Sequence, residues 1–247
     1  MPHRFHVPDA DRVGLSVILP EGEATHLRRV LRLKPGDTVR VFDGRGHELT
    51  ARVGTVTPDE VRVDTLEVAE AAREPRVTIT LAQAVLKGRK FDLVIRDATM
   101  LGVTRIQPLS TAHTDIPDAA LESPSAQARW GRVAVSSAKQ SGRAVVPMIE
   151  APASFTQHIS TAKGRLHIVL VEPGGGQASH SLDTLDRREL PEHITVTVGP
   201  EGGWAPEEVT CAREAGCLLL TLGARTLRAE AVPVAALSLL LYLWGDL

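Results

Sequence analysis

Three short apolar runs in the C-terminal half of the chain each end abruptly in a turn that contains glycine. The runs cover residues 166–171, 194–198 and 217–222, and the turns that follow begin at Glu172, Gly199 and Gly223. Short continuous apolar runs indicate buried strands, and the helical pattern between them favours parallel pairing. In open parallel sheets a ligand binds beyond the carboxyl ends of the strands. We therefore expect one ligand site, formed by these three turns.

The elements between residue 75 and the C-terminus alternate, which predicts an α/β domain. Strands are expected at 77–81 and 103–109, and helices at 91–101, at 126–142, from Pro206 to the glycine at 216, and over 232–244. The last of these apolar segments is shorter than the ~20 residues that span a bilayer. It predicts a buried helix and no membrane anchor.

The first 70 residues show a different pattern, with short runs at 13–19, 38–42, 49–53 and 61–63 that alternate between apolar and polar positions. Turn residues separate these runs, which predicts a small β-barrel or sandwich. One helix is expected at 25–33, where Leu27, Val30 and Leu31 form an apolar stripe. A linker at 70–75 divides the chain into domains 1–72 and 73–247.

The predicted helix at 25–33 carries a concentrated basic patch. Arg28, Arg29 and Arg32 stand off its apolar stripe, and no acidic residue occurs between Glu23 and Asp37. Such a patch can contact nucleic-acid phosphates, or it can simply be a solvated helix face. The sequence leaves both interpretations open.

Whole-chain composition adds little beyond the class of protein. The chain has 247 residues, 43% of them hydrophobic and 23% charged, and a formal net charge of -2. This balance provides no global attraction to nucleic acid, so RNA binding would need a local patch. The two cysteines lack metal-ligand spacing and the N-terminus lacks an apolar signal core, so we expect reduced thiols, no metal and a cytoplasmic protein.

The glycine turns match neither a P-loop nor a dinucleotide fingerprint. They carry Glu172, Glu201 and Glu230, and carboxylates beside a polyphosphate would be unfavourable. The glycines let the backbone approach a ligand closely, and the carboxylates can bind ribose hydroxyl groups or a cationic centre. This combination favours a nucleoside-like ligand with positive charge. Tight turns without a ligand are the alternative.

Two C-terminal motifs, 198–204 (VGPEGGW) and 222–231 (LGARTLRAEA), carry a family resemblance. Together with 26–32 (HLRRVLR) and 138–143 (AKQSGR), they resemble the SPOUT-superfamily methyltransferases that modify N3 of a uridine in 16S ribosomal RNA. The resemblance implies a SPOUT-type α/β domain with a C-terminal trefoil knot, preceded by a small PUA-like β-barrel domain. It also implies S-adenosylmethionine as cofactor, 16S rRNA or the small ribosomal subunit as partner, and a homodimer.

Loop placement and resemblance together predict residues that contact the cofactor, residues that contact RNA, and a catalytic pair. The expected cofactor contacts are Leu170, Glu172, Gly199, Glu201, Gly202, Leu222, Gly223 and Leu227. The expected RNA contacts are Arg28, Arg29, Arg32, Lys139, Gln140 and Arg143.

The expected catalytic pair is Arg228, which would orient the substrate, and Glu230, which is a candidate base for the weakly acidic N3 proton. An ion pair of Glu230 with Arg225 or Arg228 that merely fixes the loop is the alternative. Two other classes of protein stay open as alternatives: a non-catalytic PUA-type RNA-binding protein whose α/β half only dimerises, and a dehydrogenase-like enzyme, which the missing fingerprint disfavours.

Overall fold

The computed structural model describes residues 2–161, 166–174, 180–185 and 190–247, so Gly175 and Gly176 of the first glycine turn lie outside it. The chain forms two compact units. Unit one comprises the residues up to Glu74 together with Val135–Val146, and unit two comprises Pro75–Ala134 and Pro147–Leu247. The predicted boundary at residue 72 places residues 135–146 in the second domain, whereas in the structure this segment packs with the first unit.

Unit one is built on a five-stranded sheet in the order β1-β3-β4-β5-β2. Its strands are β1 (Arg4–His6), β2 (Ser16–Ile18), β3 (Thr38–Phe42), β4 (Glu48–Val56) and β5 (Val61–Val68). β1 pairs with β3 in parallel, and the remaining pairs are antiparallel. The alternating apolar side chains of these strands form one buried core that includes Phe5, Leu27 and Val41.

The helix of unit one begins earlier than the apolar stripe predicts. α1 covers Glu21–Thr25 and continues as a π-helical segment over His26–Leu31, which Arg32 ends in a left-handed conformation. The wider π-helical turn changes which side chains face the core. Leu27 is fully buried, but Val30 is 68% exposed, so Val30 does not belong to the buried side of the predicted apolar stripe.

Arg4 anchors the segment 135–146 within unit one. Its guanidinium donates to the carbonyl oxygens of Ala138 (2.9 Å), Lys139 (2.7 Å) and Arg143 (3.0 Å), and it pairs with the buried carboxylate of Glu48 at 2.7 Å. A cation at the last carbonyls of a helix satisfies acceptors that have no partner within the helix. This strand residue therefore fixes the end of a helix more than 130 residues away in sequence.

Unit two contains a seven-stranded sheet in the order β12-β10-β11-β6-β7-β8, with β9 also paired to β7. Its strands are β6 (Thr78–Ala84), β7 (Arg105–Ser110), β8 (Met148–Ile149), β9 (Ala153–Ser154), β10 (Leu166–Leu170), β11 (His193–Val198) and β12 (Leu218–Leu220). Every pair is parallel, which confirms the α/β fold class. The parallel order brings the carboxyl ends of β10, β11 and β12 to one edge.

The α-helices after residue 75 in the described ranges are α2 (Lys90–Met100), α3 (Asp118–Leu121), α4 (Pro124–Ser141), α5 (Phe155–Ser160), α6 (Pro206–Glu214) and α7 (Val232–Leu243), with a short 3-10 helix at Leu182–Thr184. α7 buries one face, but its Leu239 and Tyr242 are 42% and 73% exposed, so the prediction of a buried helix is correct for one face only. No helix within the described ranges has both the length and the apolar character needed to cross a bilayer.

Polar side chains interrupt the apolar interior of unit two where β10 lies beside β11. His167 is buried, and its Nε2 lies 2.7 Å from the hydroxyl of Thr197, which is also 3.3 Å from Nε2 of His158. Burial, and for His167 also the neighbouring His158, lowers the pKa of His158 to about 4 and that of His167 to about 3. Both imidazoles are therefore neutral at physiological pH.

Candidate functional site

A cavity of about 280 Å³ lies in unit two at the carboxyl ends of β10, β11 and β12. This volume is close to the lower end of the range of roughly 300–1,000 Å³ that small-molecule sites occupy. The lining residues are Lys90, Leu170, Val171, Glu172, Pro173, Val198, Gly199, Pro200, Glu201, Gly203, Trp204, Thr221, Leu222, Arg225, Thr226, Leu227, Arg228, Ala229, Glu230 and Val232. Residues of the three turns that follow the apolar runs thus line one cavity, at the place where the sequence predicts a ligand site.

The turn after β11 is shaped by Trp204. The indole Nε1 of Trp204 donates to the carbonyl oxygen of Leu170 at 2.7 Å, and its ring packs on Phe155 with 4.8 Å between ring centroids. A side chain at Gly199 would place its Cβ 3.0 Å from the Trp204 ring. Glycine is therefore needed at position 199 to let the indole close the base of the turn.

A cluster of one ammonium and two carboxylates forms the polar end of the cavity. Nζ of Lys90 lies 3.1 Å from Oε1 of Glu201 and 3.9 Å from Oε2 of Glu230. Burial opposes ionisation of Glu201, but hydrogen bonds from its own backbone and from Lys90 outweigh this and lower the pKa of the carboxyl group. Within the described ranges no group of three or more histidine, cysteine or acidic residues could hold a metal ion.

Glu230 has a buried oxygen that no described group satisfies. Its Oε2 is inaccessible to solvent and accepts no hydrogen bond from the described residues, and the Lys90 ammonium is too distant to donate to it. A buried acceptor without a donor is costly unless a ligand supplies the partner. Among the described contacts, neither Arg225 nor Arg228 pairs with Glu230, so they do not include the ion pair that was the alternative to a catalytic role.

The predicted cofactor residues fall into two sets. Six of them line the cavity: Leu170, Glu172, Gly199, Glu201, Leu222 and Leu227. Gly202 and Gly223 do not line it. Gly202 instead faces His113, whose Nδ1 lies 3.1 Å and 3.2 Å from the carbonyl oxygens of Gly202 and Gly203. A Cβ at position 202 would come within 2.9 Å of the His113 Cβ, so this glycine serves a contact behind the turn.

The three arginines of the basic patch differ in their surroundings. Arg28 is partly buried and donates to the carbonyl oxygens of Thr57 (2.6 Å) and Pro58, so it holds the loop between β4 and β5. Arg29 and Arg32 are exposed, and no ion pair or hydrogen bond of their side chains occurs among the described residues. Of the three, Arg29 and Arg32 thus have guanidinium groups that make no hydrogen bond or ion pair with other described residues and can bind phosphate.

The three predicted RNA contacts near the end of α4 also differ. Lys139 pairs with Glu23 at 2.7 Å, and its ammonium lies 5.4 Å from the Phe5 ring centroid. Gln140 is exposed. Arg143 is 3% exposed and is held by Glu74 at 2.5 Å. Arg143 is therefore a structural residue of unit one, and its burial argues against the predicted contact with RNA.

Two residues of the site were missed by the sequence reasoning. Lys90 is the last residue of the basic segment 87–90 (KGRK), whose local pattern indicates only a loop. Nothing in that pattern shows that its ammonium lies near two carboxylates from other loops. His113 lies in a polar turn without any helical or strand pattern. Both positions depend on the order of strands in the sheet, which local periodicity does not contain.

Comparisons with known proteins agree with this architecture. A family model described as an RNA methyltransferase domain matches residues 73–241, and one described as an RNA methyltransferase PUA domain matches residues 19–66. Ribosomal RNA small subunit methyltransferase E of Synechocystis sp. is 32% identical over 96% of this chain and 77% of its own length.

Two solved structures are similar over nearly the whole chain. Ribosomal RNA small subunit methyltransferase E from Neisseria gonorrhoeae, bound to S-adenosyl methionine, has 32% identity and a TM-score of 0.86, covering 99% of this chain and 98% of its own. A putative methyltransferase from Legionella pneumophila, in complex with the same cofactor, has 29% identity and a TM-score of 0.88, covering 98% of both chains.

Proposed function

Because this chain belongs to the RNA methyltransferase family, as the motif resemblance predicts, we propose that it methylates N3 of a uridine in 16S rRNA of the small ribosomal subunit. S-adenosylmethionine is the methyl donor, and the reaction takes place in the cytoplasm. The observation that carries the proposal is the cavity at the ends of three parallel strands, with the unsatisfied Glu230 oxygen at its polar end. A purely RNA-binding protein has no need of such a cavity.

The cavity residues fit this donor. Gly199 leaves room for the Trp204 indole at the base of the turn, and Leu222 and Leu227 provide apolar walls. Glu172 and Glu201 can accept hydrogen bonds from hydroxyl or ammonium groups. When bound, S-adenosylmethionine supplies an activated methyl group with positive charge on sulfur. Carboxylates in a partly desolvated cavity favour such a cation over a polyphosphate.

Two residues would act on the uracil. Glu230 is the candidate base for the N3 proton, because its buried oxygen is free to accept. Arg228 lines the same cavity, is exposed and would orient the substrate through its phosphate or carbonyl oxygens. Holding the nitrogen in line with the methyl group reduces the entropy cost of reaction.

The function is tested by incubating the wild-type protein with S-adenosylmethionine and either 16S rRNA or small subunits from cells that lack this methylation. We expect 3-methyluridine in digests of the RNA by mass spectrometry. The donor alone, at 100 times its dissociation constant, should stabilise the protein by about 2.7 kcal/mol. Retained RNA binding without donor binding or methyl transfer would instead support the non-catalytic alternative.

A contact surface for RNA is proposed on unit one at Arg29 and Arg32. Replacing each by alanine should weaken RNA binding and reduce the slope of log affinity against log salt by about one per lost phosphate contact. Gln140→Ala, an uncharged change at the other predicted contact region, is the matched control for the salt slope. An unchanged slope in the arginine variants would return the patch to a solvated helix face.

We also propose a homodimer. α2 packs against α7, and both helices expose large apolar side chains: Leu93 and Met100 on α2, Leu239 and Tyr242 on α7. Exposed apolar groups of this kind mark protein interfaces. Light scattering should give twice the mass of the 26.6 kDa chain, and Tyr242→Arg should shift it toward one chain. A single-chain mass for the wild type would exclude this proposal.

The C-terminal trefoil knot implied by the resemblance stays a prediction. β10 pairs with both β11 and β12, so the chain returns twice to the same strand before α7. An experimental map that traces the chain continuously from 161 to 247 would decide whether it passes through a loop.

A further inference from the structure

We propose that Lys90 is a catalytic residue, whose ammonium stabilises the negative charge that develops on the uracil carbonyl oxygens as N3 loses its proton. This inference rests on the proposed function and adds a third reacting group to it. The sequence assigns no role to Lys90, and the residue enters the site only because the first turn of α2 lies beside the turns after β11 and β12.

Some hydrogen-bond donors of the Lys90 ammonium have no partner among the described residues. Among the described residues it makes one hydrogen bond, to Oε1 of Glu201 at 3.1 Å, whereas the Glu230 oxygen at 3.9 Å is beyond hydrogen-bond distance. An ammonium has three donors, so two remain for a ligand. The side chain is 41% exposed and lines the cavity, so a bound base can reach it.

The charges of the cavity require a cation at this place. Glu201 and Glu230 both line the polar end. Glu230 becomes neutral when it takes the N3 proton, but the uracil anion then lies beside the Glu201 carboxylate, which would destabilise it by repulsion. Lys90 is the group that contacts Glu201 and approaches Glu230. When Glu230 takes the N3 proton, negative charge moves from the carboxylate to the base, and the ammonium faces this charge at the start and at the end of the transfer.

The reaction balances with these groups. The N3 proton goes to the Glu230 carboxylate, which becomes a neutral carboxylic acid. The electron pair left on N3, delocalised over O2 and O4, forms the new bond to the methyl carbon, whose bond to sulfur breaks with its electrons. Lys90 gives up no proton. It lowers the energy of the anionic base in the way that a preorganised donor stabilises an oxyanion.

A positioning role is the alternative, in which Lys90 acts only by holding Glu201 for the donor. The two roles differ in what they change. Loss of a positioning residue weakens donor binding, and saturation with donor then restores the rate. Loss of a group that contacts the anion lowers the rate at saturation and leaves donor affinity nearly unchanged.

The test uses the full chain with three variants: Lys90→Met, Lys90→Arg and Glu201→Gln. Single-turnover rates are measured at saturating donor and RNA, and donor affinity is measured separately by calorimetry. We expect Lys90→Met to lower the rate by about 10²–10³-fold, the usual effect of removing one oxyanion donor. Lys90→Arg keeps the charge and should recover at least tenfold of that loss. Glu201→Gln should chiefly weaken donor binding.

A second RNA substrate shows whether a lower rate of Lys90→Met comes from the chemical step or from a misfolded variant. 5-Fluorouridine at the target position has a more acidic N3 proton, so the deficit of Lys90→Met should shrink with this RNA and at higher pH. A saturated rate within threefold of wild type, or an equal deficit with both RNAs at every pH, would overturn the catalytic role. If the wild type transfers no methyl group to either RNA, the proposed function itself fails.

Discussion

The two buried histidines of unit two give a stability prediction whose size follows from the structure. His158 and His167 share the Thr197 hydroxyl, and burial lowers the pKa of each to about 4 and about 3. An unfolded histidine has a pKa near 6.5, so the unfolded chain binds more protons than the folded chain at pH 5.5. Acidification from pH 7 therefore favours unfolding. The contribution of the two neutral histidines to the free energy of unfolding is lost progressively as the pH falls below 6.5.

The magnitude does not depend on the exact folded values. At pH 5.5 each unfolded histidine is mostly protonated, while both folded imidazoles stay neutral. Relative to pH 7, proton binding therefore stabilises the unfolded state by about 1.2 kcal/mol per histidine. The pair should lower the free energy of unfolding by about 2.5 kcal/mol over this interval. For a chain of this length, the melting temperature should fall by roughly 5–10 °C.

The assay is urea unfolding at pH 7 and pH 5.5, for the wild type and for the double variant His158→Gln, His167→Gln. Glutamine keeps a hydrogen-bonding group beside Thr197 but does not titrate. His193→Gln removes a 45% exposed histidine from the same unit and is the matched control. His6 in unit one, whose pKa is lowered chiefly by burial, also makes the free energy of unfolding depend on pH. The effect of the pair is therefore the difference in pH dependence between the wild type and the double variant. An equal pH dependence in the double variant and the wild type would show that these two histidines are not its cause.

Three further predictions concern glycines and a buried ion pair. Gly202→Ala should weaken donor binding about tenfold, because its Cβ meets that of His113, and the second change His113→Gly should restore most of the affinity. Gly199→Leu should abolish donor binding in calorimetry while RNA binding persists. Glu74→Gln removes the charge that pairs with buried Arg143 and should lower the free energy of unfolding by about 1.5–3 kcal/mol in urea titrations.

Local patterns predicted most of the α/β sheet, and they failed where distant parts of the chain meet. The run at 194–198 predicts β11 to within one residue, because a buried parallel strand needs apolar side chains on both faces. Val30 was misplaced because a π-helical turn has no signature in apolar spacing. The strand Arg4–His6 was missed because three residues carry too little pattern, although Arg4 fixes the end of α4.

The candidate site was predicted in the same uneven way. Backbone-exposing turns can be identified from glycines after apolar runs, and this located Gly199, Leu222 and Leu227 at the cavity. Charge alone, in contrast, does not distinguish an exposed arginine from one that is buried in an ion pair. Arg29 and Arg143 are chemically identical in the sequence, and only packing assigns one to solvent and the other to Glu74.

The membership of residues 135–146 in unit one sets the order in which a newly made chain can finish folding. The strands up to Glu74 emerge from the ribosome first, yet Arg4 finds its carbonyl partners only after Arg143 has been synthesised. At about 5–20 residues per second, the intervening 75–146 take roughly 4–14 s. The first part of the protein to be synthesised is therefore not the first that can be completed.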